Sequence, residues 1–400
     1  MFAALTAALS AGYGVLFTVV GDFREQYGIS ATAVGVVIGA GFLSGFVAQV
    51  FIAPIADRGR ARQLIVIGAA ANVAGLLMMG FGESLNIILA GRIISGLGIG
   101  SAAPAIRRVV ILADPDNLGQ NLGRLLSANV FGFALGPAIS AMLVGPMGLA
   151  APFVVVATAT ALLLPLAFLV SANESQETSH QRLALDLLRS PVVAGAVLMG
   201  AAAFMMIGTF DALWDIVHED LDTPTWMANL GITLFAVPLV VLGPTAGRLA
   251  QRIGPFRVSA LGLLAGAAFM FTYGQLPTGS WIFGLSMVHA VTDGMTMVAP
   301  GVAVAMSVPK ERQAGAQGAM GAAEALVAGI AAIAVGGLYE SSGRAVAYAA
   351  GAGGVLVLMA IGMALAAQFW RAGRHRTVAL TDVSADLIPA ASISQETPFS

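Results

Sequence analysis

Cysteine is absent from the 400-residue chain, and charged residues make up only 10% of it. The lack of cysteine excludes disulfides and thiolate metal sites. The scarcity of charge, together with a hydrophobic fraction of 58%, leaves too little polar surface to cover a water-soluble globule of this size. A net charge of −2 argues against nucleic acid as a partner. The composition therefore predicts a protein whose main solvent is the lipid bilayer.

The few positive charges are confined to particular gaps between apolar runs. Every second gap contains two or three cations, whereas the gaps between them hold only Arg24 and Arg344, and Arg92 lies inside an apolar run. Multi-spanning membrane proteins show this alternation because their cationic loops stay in the cytoplasm. The pattern predicts which loops face the cytoplasm.

About 20 apolar residues in a helix span the hydrocarbon core. The chain offers twelve such stretches, which predict an all-α integral membrane protein: 2–20, 31–55, 64–82, 85–112, 121–144, 150–171, 191–215, 226–250, 258–275, 281–308, 313–338 and 345–370. The even number puts both termini in the cytoplasm. The first run lacks a plausible cleavage pattern, so we expect a retained helix rather than a signal peptide.

The spans divide into two six-helix halves that look like copies. Residues 1–172 and 191–371 form the halves, 173–190 is a polar cytoplasmic loop, and 372–400 is a tail that we expect to be disordered. Gln251 follows Asp57 by 194 positions, and Glu219 follows Glu25 by the same distance. A constant offset near half the folded length indicates duplicated halves, as in secondary transporters.

Two copies of one motif follow the second and eighth spans. The first reads APIADRGRAR over 53–62, and the second reads GRLAQRIGPFR over 247–257. They resemble the Gly-x-Leu-Ala-Asp-Arg-x-Gly-Arg-Arg signature of the major facilitator superfamily, although Ala53 replaces glycine, one residue is missing before Gly59, and Gln251 replaces the acid.

The resemblance implies a gate at this membrane face. A carboxylate among arginines and near helix N-termini is able to clamp two helices while the inward mouth is shut. Topology-setting charge alone is the alternative. The expected gate residues are Asp57, Arg58, Arg60, Arg62, Gly247, Arg252 and Gly254.

The fourth and fifth spans carry two further resemblances to this family. GRIISGLGIG over 91–100 is similar to an Arg-x-x-Gln-Gly-x-Gly pattern, with Ser95 in place of glutamine. Arginine is costly in lipid, so we expect Arg92 to face a watery cavity or an acidic partner, a bond to a helix carbonyl being the alternative. GFALGP over 132–137 resembles an element that the family associates with antiporters. Small residues and the proline are expected to shape helix packing: Gly96, Gly132, Gly136 and Pro137.

Ionisable side chains interrupt several later apolar runs. Asp293, about 18 Å into the tenth span, and Glu324, about 17 Å into the eleventh, should lie near the midplane and carry protons. His289 shares a helix face with Asp293, so these two side chains are expected to hydrogen-bond or to relay a proton, a purely structural pair being the alternative. The expected cavity and substrate residues are Arg92, Asp211, Trp214 and His289.

The resemblance covers residues 2–370 and implies the twelve-helix fold of secondary transporters, with alternating access around a central cavity. No Gly-x-x-x-x-Gly-Lys-Ser/Thr motif is present, so we expect no cofactor and a proton gradient as the energy source. The Gly-Pro element and an apolar lining with Phe204 and Met205 favour export of small hydrophobic or amphipathic molecules. Uptake of a small anionic metabolite on Arg92 is the alternative.

An intramembrane enzyme using His289 and Asp293 is a remote further alternative, since the chain has too few metal ligands and no His-Glu-x-x-His motif. The expected partners are a small-molecule substrate and the lipid bilayer. We expect a monomer in the cytoplasmic membrane of a bacterium.

Overall fold

The computed structural model describes residues 2–27, 31–169 and 184–372. Fifteen α-helices lie in this part of the chain: α1 Phe2–Tyr27, α2 Ala31–Phe51, α3 Ala61–Phe81, α4 Leu85–Ala113, α5 Leu118–Met147, α6 Ala150–Leu163, α7 Leu166–Leu169, α8 Pro191–Asp220, α9 Thr225–Ile253, α10 Pro255–Tyr273, α11 Gly279–Thr296, α12 Ala299–Ser307, α13 Gln313–Ser342, α14 Arg344–Leu365 and α15 Ala367–Ala372. Short 3₁₀ helices occupy Ala53–Arg58, Pro115–Asn117, Leu185–Arg189 and Lys310–Arg312.

The helices account for twelve membrane crossings. Ten helical segments of the described chain are long and apolar enough to span a bilayer, and shorter apolar helices over Phe2–Leu16 and Ala150–Leu163 supply the remaining two. Large apolar side chains point outward from the bundle, among them Ile333, which is 80% exposed. Such exposure suits a surface that is bathed in lipid. The predicted all-α membrane fold is confirmed.

Several helices differ in detail from the predicted spans. The tenth crossing is broken between α11 and α12, because Pro300 lacks the N–H that would donate to the carbonyl of Thr296. The first and seventh crossings continue beyond their apolar runs to Tyr27 and Asp220. A helix keeps its internal hydrogen bonds outside the hydrocarbon, so the loss of hydropathy does not end it.

Helices α1 to α7 pack with one another, as do α8 to α15, and the halves meet along two seams. In one seam α5 packs against α9, and in the other α13 packs against α2, α4 and the 3₁₀ helix Ala53–Arg58. The predicted boundary at residue 172 and the tail over 373–400 lie outside the described residues. We call the end of the bundle that carries Asp57, Arg108 and Gln251 the basic face.

Candidate functional site: gate and buried charges

Asp57 joins the two halves at the basic face. Its carboxylate accepts hydrogen bonds from the backbone N–H groups of Ala314, at 2.9 Å, and Gly315, at 2.7 Å, at the start of α13. Arg108 on α4 donates from Nε to the same carboxylate at 2.9 Å. Asp57 is 2% exposed and Arg108 is 1% exposed. The carboxylate therefore meets a helix N-terminus, where unpaired N–H groups and the helix dipole favour negative charge.

The second copy of the motif makes a corresponding contact without charge. Gln251 near the end of α9 accepts from the backbone N–H of Gly119 at 2.8 Å. Its Nε2 donates to the carbonyls of Pro115, at 3.2 Å, and Asp116, at 3.1 Å. Asp57 thus binds the N-terminus of α13, and Gln251 binds the N-terminus of α5. The duplicated motifs hold both seams at the same face, one with a carboxylate and one with an amide.

Glycines allow the backbones of α5 and α9 to touch where these two helices pack. A Cβ added at Gly119 would collide with the carbonyl oxygen of Gly247, and one added at Gly123 would collide with that of Gly243. Gly247, expected from the motif as a gate residue, therefore lies directly in this seam. Any larger residue would push α5 and α9 apart.

The backbone explains why the two motif copies differ in length. In the first copy the 3₁₀ helix Ala53–Arg58 ends at Gly59, whose φ is 74°. In the second copy α9 continues to Ile253 and ends at Gly254, whose φ is 109°. A 3₁₀ helix rises further per residue than an α-helix, so it covers a similar distance with fewer residues. Glycine is favoured at both positions because φ is positive.

The gate arginines lie around this network rather than inside it. Arg60, Arg62 and Arg252 are exposed, and Arg62 stacks on the ring of Phe168 at 4.6 Å to the centroid. Arg58 is half-buried. The cation that pairs with Asp57 is Arg108, which was not expected from the motif because it lies 51 residues away on α4.

The described part of the polar loop between the halves lies close to the Asp57 contact. Asp186, in the 3₁₀ helix Leu185–Arg189, accepts two hydrogen bonds from Arg312, at 3.0 and 2.6 Å. Arg312 immediately precedes α13, and a Cβ at Gly315 would touch both Ala184 and Asp57. This part of the loop therefore packs beside the Asp57 contact. Residues 173–183 lie outside the described residues.

Arg92 has aromatic rather than acidic neighbours. Its guanidinium lies over the ring of Tyr13 at 4.1 Å and over that of Phe42 at 5.9 Å. The side chain is 0% exposed, and none of its nitrogens has a hydrogen-bond partner within the described chain. We expected Arg92 to face a watery cavity or an acidic partner. In the structure, Tyr13 on α1 and Phe42 on α2 cover the guanidinium instead. Cation–π attraction supplies part of the lost hydration.

The glycines of the fourth and fifth spans are close to backbone of neighbouring helices. Gly132 lies against the backbone of Ala7, and Gly136 lies against that of Gly14 and Val15, so this pair brings α5 onto α1. Gly96 lies against Gly41 and Ser44 of α2. Pro137 is inside α5, which continues through it to Met147.

His289 and Asp293 lie together in the C-terminal half, as their spacing predicts. Nε2 of His289 is 3.4 Å from Oδ1 of Asp293, and these side chains are 1% and 3% exposed. The hydroxyl of Tyr273 on α10 is 2.9 Å from Nδ1 of His289. The histidine is therefore enclosed in this state rather than exposed to a cavity.

The remaining cavity candidates, Trp214 and Asp211, lie about one turn apart on α8 but differ in burial. Trp214 is 1% exposed and packs against Phe210, at 4.7 Å between ring centroids, and against His218, at 4.1 Å. These neighbours bury it in the core of the C-terminal half in this structure. Asp211, on the same helix, is exposed.

Glu324 lies on α13 where the halves meet. Its side chain is 7% exposed, and Oε1 is close to where a Cβ at Gly200 would lie, 2.9 Å away. Arg107 on α4 acts on this carboxyl electrostatically from the other half. Sequence reasoning placed Glu324 near the midplane but did not identify Arg107 as its cationic neighbour. The buried acid and the cation thus lie on two helices, α13 and α4, that pack together across the seam.

Comparison with known proteins identifies the class of protein that this fold and these motifs define. The model of the Major Facilitator Superfamily matches residues 2–231 and 196–389. The chain belongs to this superfamily, whose members here are transporters rather than enzymes.

Relatives and solved structures agree with this assignment. Multidrug resistance protein 2 of Bacillus subtilis (strain 168) is 25% identical over 278 residues, which is 65% of this chain and 68% of that protein. The outward conformation of FucP has a TM-score of 0.71 at 16% identity and covers 91% of this chain and 98% of its own. The proton:xylose symporter XylE has a TM-score of 0.75 at 15% identity, with coverages of 92% and 94%.

Proposed function

We propose that the protein is a proton-coupled exporter of small hydrophobic or amphipathic molecules that works by alternating access. The observation that carries the proposal is the position of Glu324, a buried carboxyl on α13, because α13 packs against α4, the helix of the other half that carries Arg107. Because the two residues belong to different halves, any movement between the halves changes their separation. Ionisation of the carboxyl then depends on conformation, and this dependence is what coupling requires.

The gate contacts support alternating access. Asp57 and Gln251 each bind a helix N-terminus of the opposite half, and both contacts lie at the basic face. Opening this face must break them. We therefore interpret the structure as the state that is closed at the basic face, with the substrate pathway leading to the opposite face.

Export is favoured over uptake by two observations. The relative from Bacillus subtilis is named a multidrug resistance protein. The pair Gly132 and Gly136, which resembles an antiporter element, lies in contact with the backbone of α1. A close α1–α5 contact restricts movement between these two helices of the N-terminal half.

Proton flux in proteoliposomes tests the proposal. Purified protein is reconstituted with a pH-sensitive dye inside, and a panel of lipophilic cations, neutral amphipathic compounds and small organic anions is added. We expect a lipophilic or amphipathic compound to drive proton movement in the opposite direction. The Glu324→Gln variant should lose this response, and Glu340→Gln, an exposed acid on the same helix, should retain it. Transport that proceeds equally without a pH gradient would reject proton coupling.

A second candidate, proton-coupled uptake of a small anionic metabolite, rests on Arg92. Its buried guanidinium has no hydrogen-bond partner in the described chain, so a substrate carboxylate would supply the missing acceptor. The same assay separates the two functions. Uptake predicts that an organic anion and a proton move in the same direction and that Arg92→Gln abolishes the response.

The same proposal extends to the membrane in which the protein works, its oligomeric state and its cofactor requirement. Bacterial relatives and the cationic loops favour the cytoplasmic membrane of a bacterium with the basic face inside. We propose that the protein works as a monomer and without a cofactor, since each half supplies its own buried ionisable groups. Crosslinking and detergent-corrected light scattering at transport-competent concentrations check the monomer.

A further inference from the structure

Tyr273 makes a contact that the proposed coupling does not include. Its hydroxyl oxygen is 2.9 Å from Nδ1 of His289, and the other ring nitrogen of His289 faces Asp293 at 3.4 Å. Tyr273 is 0% exposed. The three side chains lie in a row from α10 to α11, in which His289 and Asp293 are within ion-pair range but are not hydrogen-bonded, and we call this set the Tyr–His–Asp row.

Apolar side chains enclose this row. The ring of Phe269 stacks on His289 at 4.9 Å, and the ring of Phe235 meets it edge-on at 5.6 Å. The helix α8 contributes Met206, which lies beside Gly266 next to the histidine. Water is therefore excluded from the imidazole except where the polar neighbours lie, and the low dielectric strengthens their interaction with it.

Few titratable groups face the histidine. Asp293 lies on its own helix, and Tyr273 approaches from α10. Tyr348 on α14 packs edge to face against Tyr273, at 5.7 Å between ring centroids. The helices α8 and α9 present Met206 and Phe235 to it. Changes in the charge of His289 thus depend mainly on Asp293 and on the phenol.

The donor and acceptor capacities decide what this row does. A neutral imidazole has one donor and one acceptor nitrogen, whereas an imidazolium has two donors. In the Nε2–H tautomer the proton lies on the side of the Asp293 carboxylate, and Nδ1 of this neutral His289 accepts a hydrogen bond from the phenol. When His289 gains a proton, Nδ1 becomes a donor, and the phenol oxygen accepts by rotating its own hydrogen away. The phenol hydroxyl is able to donate to the neutral imidazole and to accept from the imidazolium. A carbonyl only accepts and an ammonium group only donates, so neither would bond to Nδ1 in both protonation states.

We propose that Tyr273 is a positioning residue that holds His289 so that the histidine and Asp293 bind one exchangeable proton as a unit. The inference extends the proposed proton coupling to a second site within the C-terminal half. Asp293 alone would have to ionise in an apolar enclosure, whereas the row offers the proton an alternative position on the imidazole. The carboxylate is then balanced by a cation within the same helix.

The Tyr273→Phe variant tests the role, with Tyr348→Phe as the matched control. A charge-assisted hydrogen bond is stronger than a neutral one, so removing the phenol destabilises the imidazolium more than the neutral ring. We expect Tyr273→Phe to shift the midpoint of proton binding by the purified protein. It should stay unchanged in Tyr348→Phe. An unchanged midpoint in Tyr273→Phe would overturn the proposal.

A second measurement is made on the wild-type protein, so it does not depend on the folding of Tyr273→Phe. The chain contains four histidines, so ¹⁵N-histidine spectra of the wild-type protein are simple, and His289→Asn assigns the signal of interest. At high pH we expect the Nε2–H tautomer with an unprotonated Nδ1. A protonated Nδ1 at every pH would reject the arrangement. Both readouts use resting protein, so they remain informative even if proteoliposomes show no proton-coupled export.

Discussion

Replacement of Asp57 by Asn should open the basic face. The carboxylate accepts two backbone hydrogen bonds from α13, whereas its pair with Arg108 lies within the N-terminal half. Only the backbone bonds cross between the halves, so only they favour the closed state. The amide retains one acceptor but turns an N–H group toward a second N–H group of α13.

The size of the effect follows from these bonds. Hydrogen bonds to charged groups contribute about 1.5–3 kcal/mol each. Losing one of the two, together with the charge at the helix N-terminus, should cost the closed state about 2–3 kcal/mol. That change lowers the ratio of closed to open molecules about 30- to 150-fold.

Spin labels at the basic face measure this ratio. The chain contains no cysteine, so labels attach only at cysteines introduced at the exposed positions Gln63 and Lys310, one in each half. We expect the distance distribution in Asp57→Asn to shift toward longer separations. Asp114→Asn is the matched control, because Asp114 lies at the same face but bonds to Asn117 and Asn121 of its own half. Equal distributions in Asp57→Asn and Asp114→Asn would refute the cross-half role of Asp57.

Three further predictions use substitutions with controls elsewhere on the same helices. Gly119→Ala should lower thermal stability and transport because the added Cβ collides with the carbonyl of Gly247. Gly145→Ala is the control, because its Cβ enters open space and should leave stability and transport unchanged. Thermal unfolding in detergent measures the stability of the two variants. Gly41→Ala should displace the guanidinium of Arg92 and reduce transport several-fold, with Gly39→Ala unaffected in the same assay. Glu324→Gln should abolish uphill transport but retain substrate exchange between equal concentrations, and loss of both would indicate a structural role.

The fold could be predicted because bilayer physics leaves a strong signal in the sequence. Hydropathy and the distribution of arginines predicted an all-α bundle of membrane-spanning helices. Helix ends were less predictable, since helices such as α8 continue into polar sequence as far as Asp220. The break before α12 has a visible cause in Pro300, but proline often lies within membrane helices without ending them, as Pro137 does in α5.

Partners of buried charges were less accessible from sequence. The pairing of His289 with Asp293 follows from spacing along one helix, whereas the contact of Tyr273 with His289 joins two helices. Tyr273 ends α10, where tyrosine is common for its affinity for the membrane interface, so its type and position gave no sign of a buried partner. Arg92 was expected to face a watery cavity or an acidic partner. In the sequence, nothing distinguishes its neighbours Tyr13 and Phe42 from aromatic residues that face lipid or the helix core.

The two gate contacts show how duplication produced unequal seams. Asp57 and Gln251 occupy corresponding positions and bind corresponding helix N-termini, but only Asp57 is charged. A charged contact depends on the state of its carboxylate, whereas an amide contact does not respond to protons. In the α5–α9 seam, glycines also bring the two backbones into contact. The distance between α5 and α9 therefore depends on steric packing rather than on charge. Sensitivity to charge is therefore concentrated in the seam of α13, the helix that also carries Glu324. A single helix thus connects the gate contact with the proposed coupling residue, and movement of α13 away from α4 would release Asp57 and separate Glu324 from Arg107 in one step.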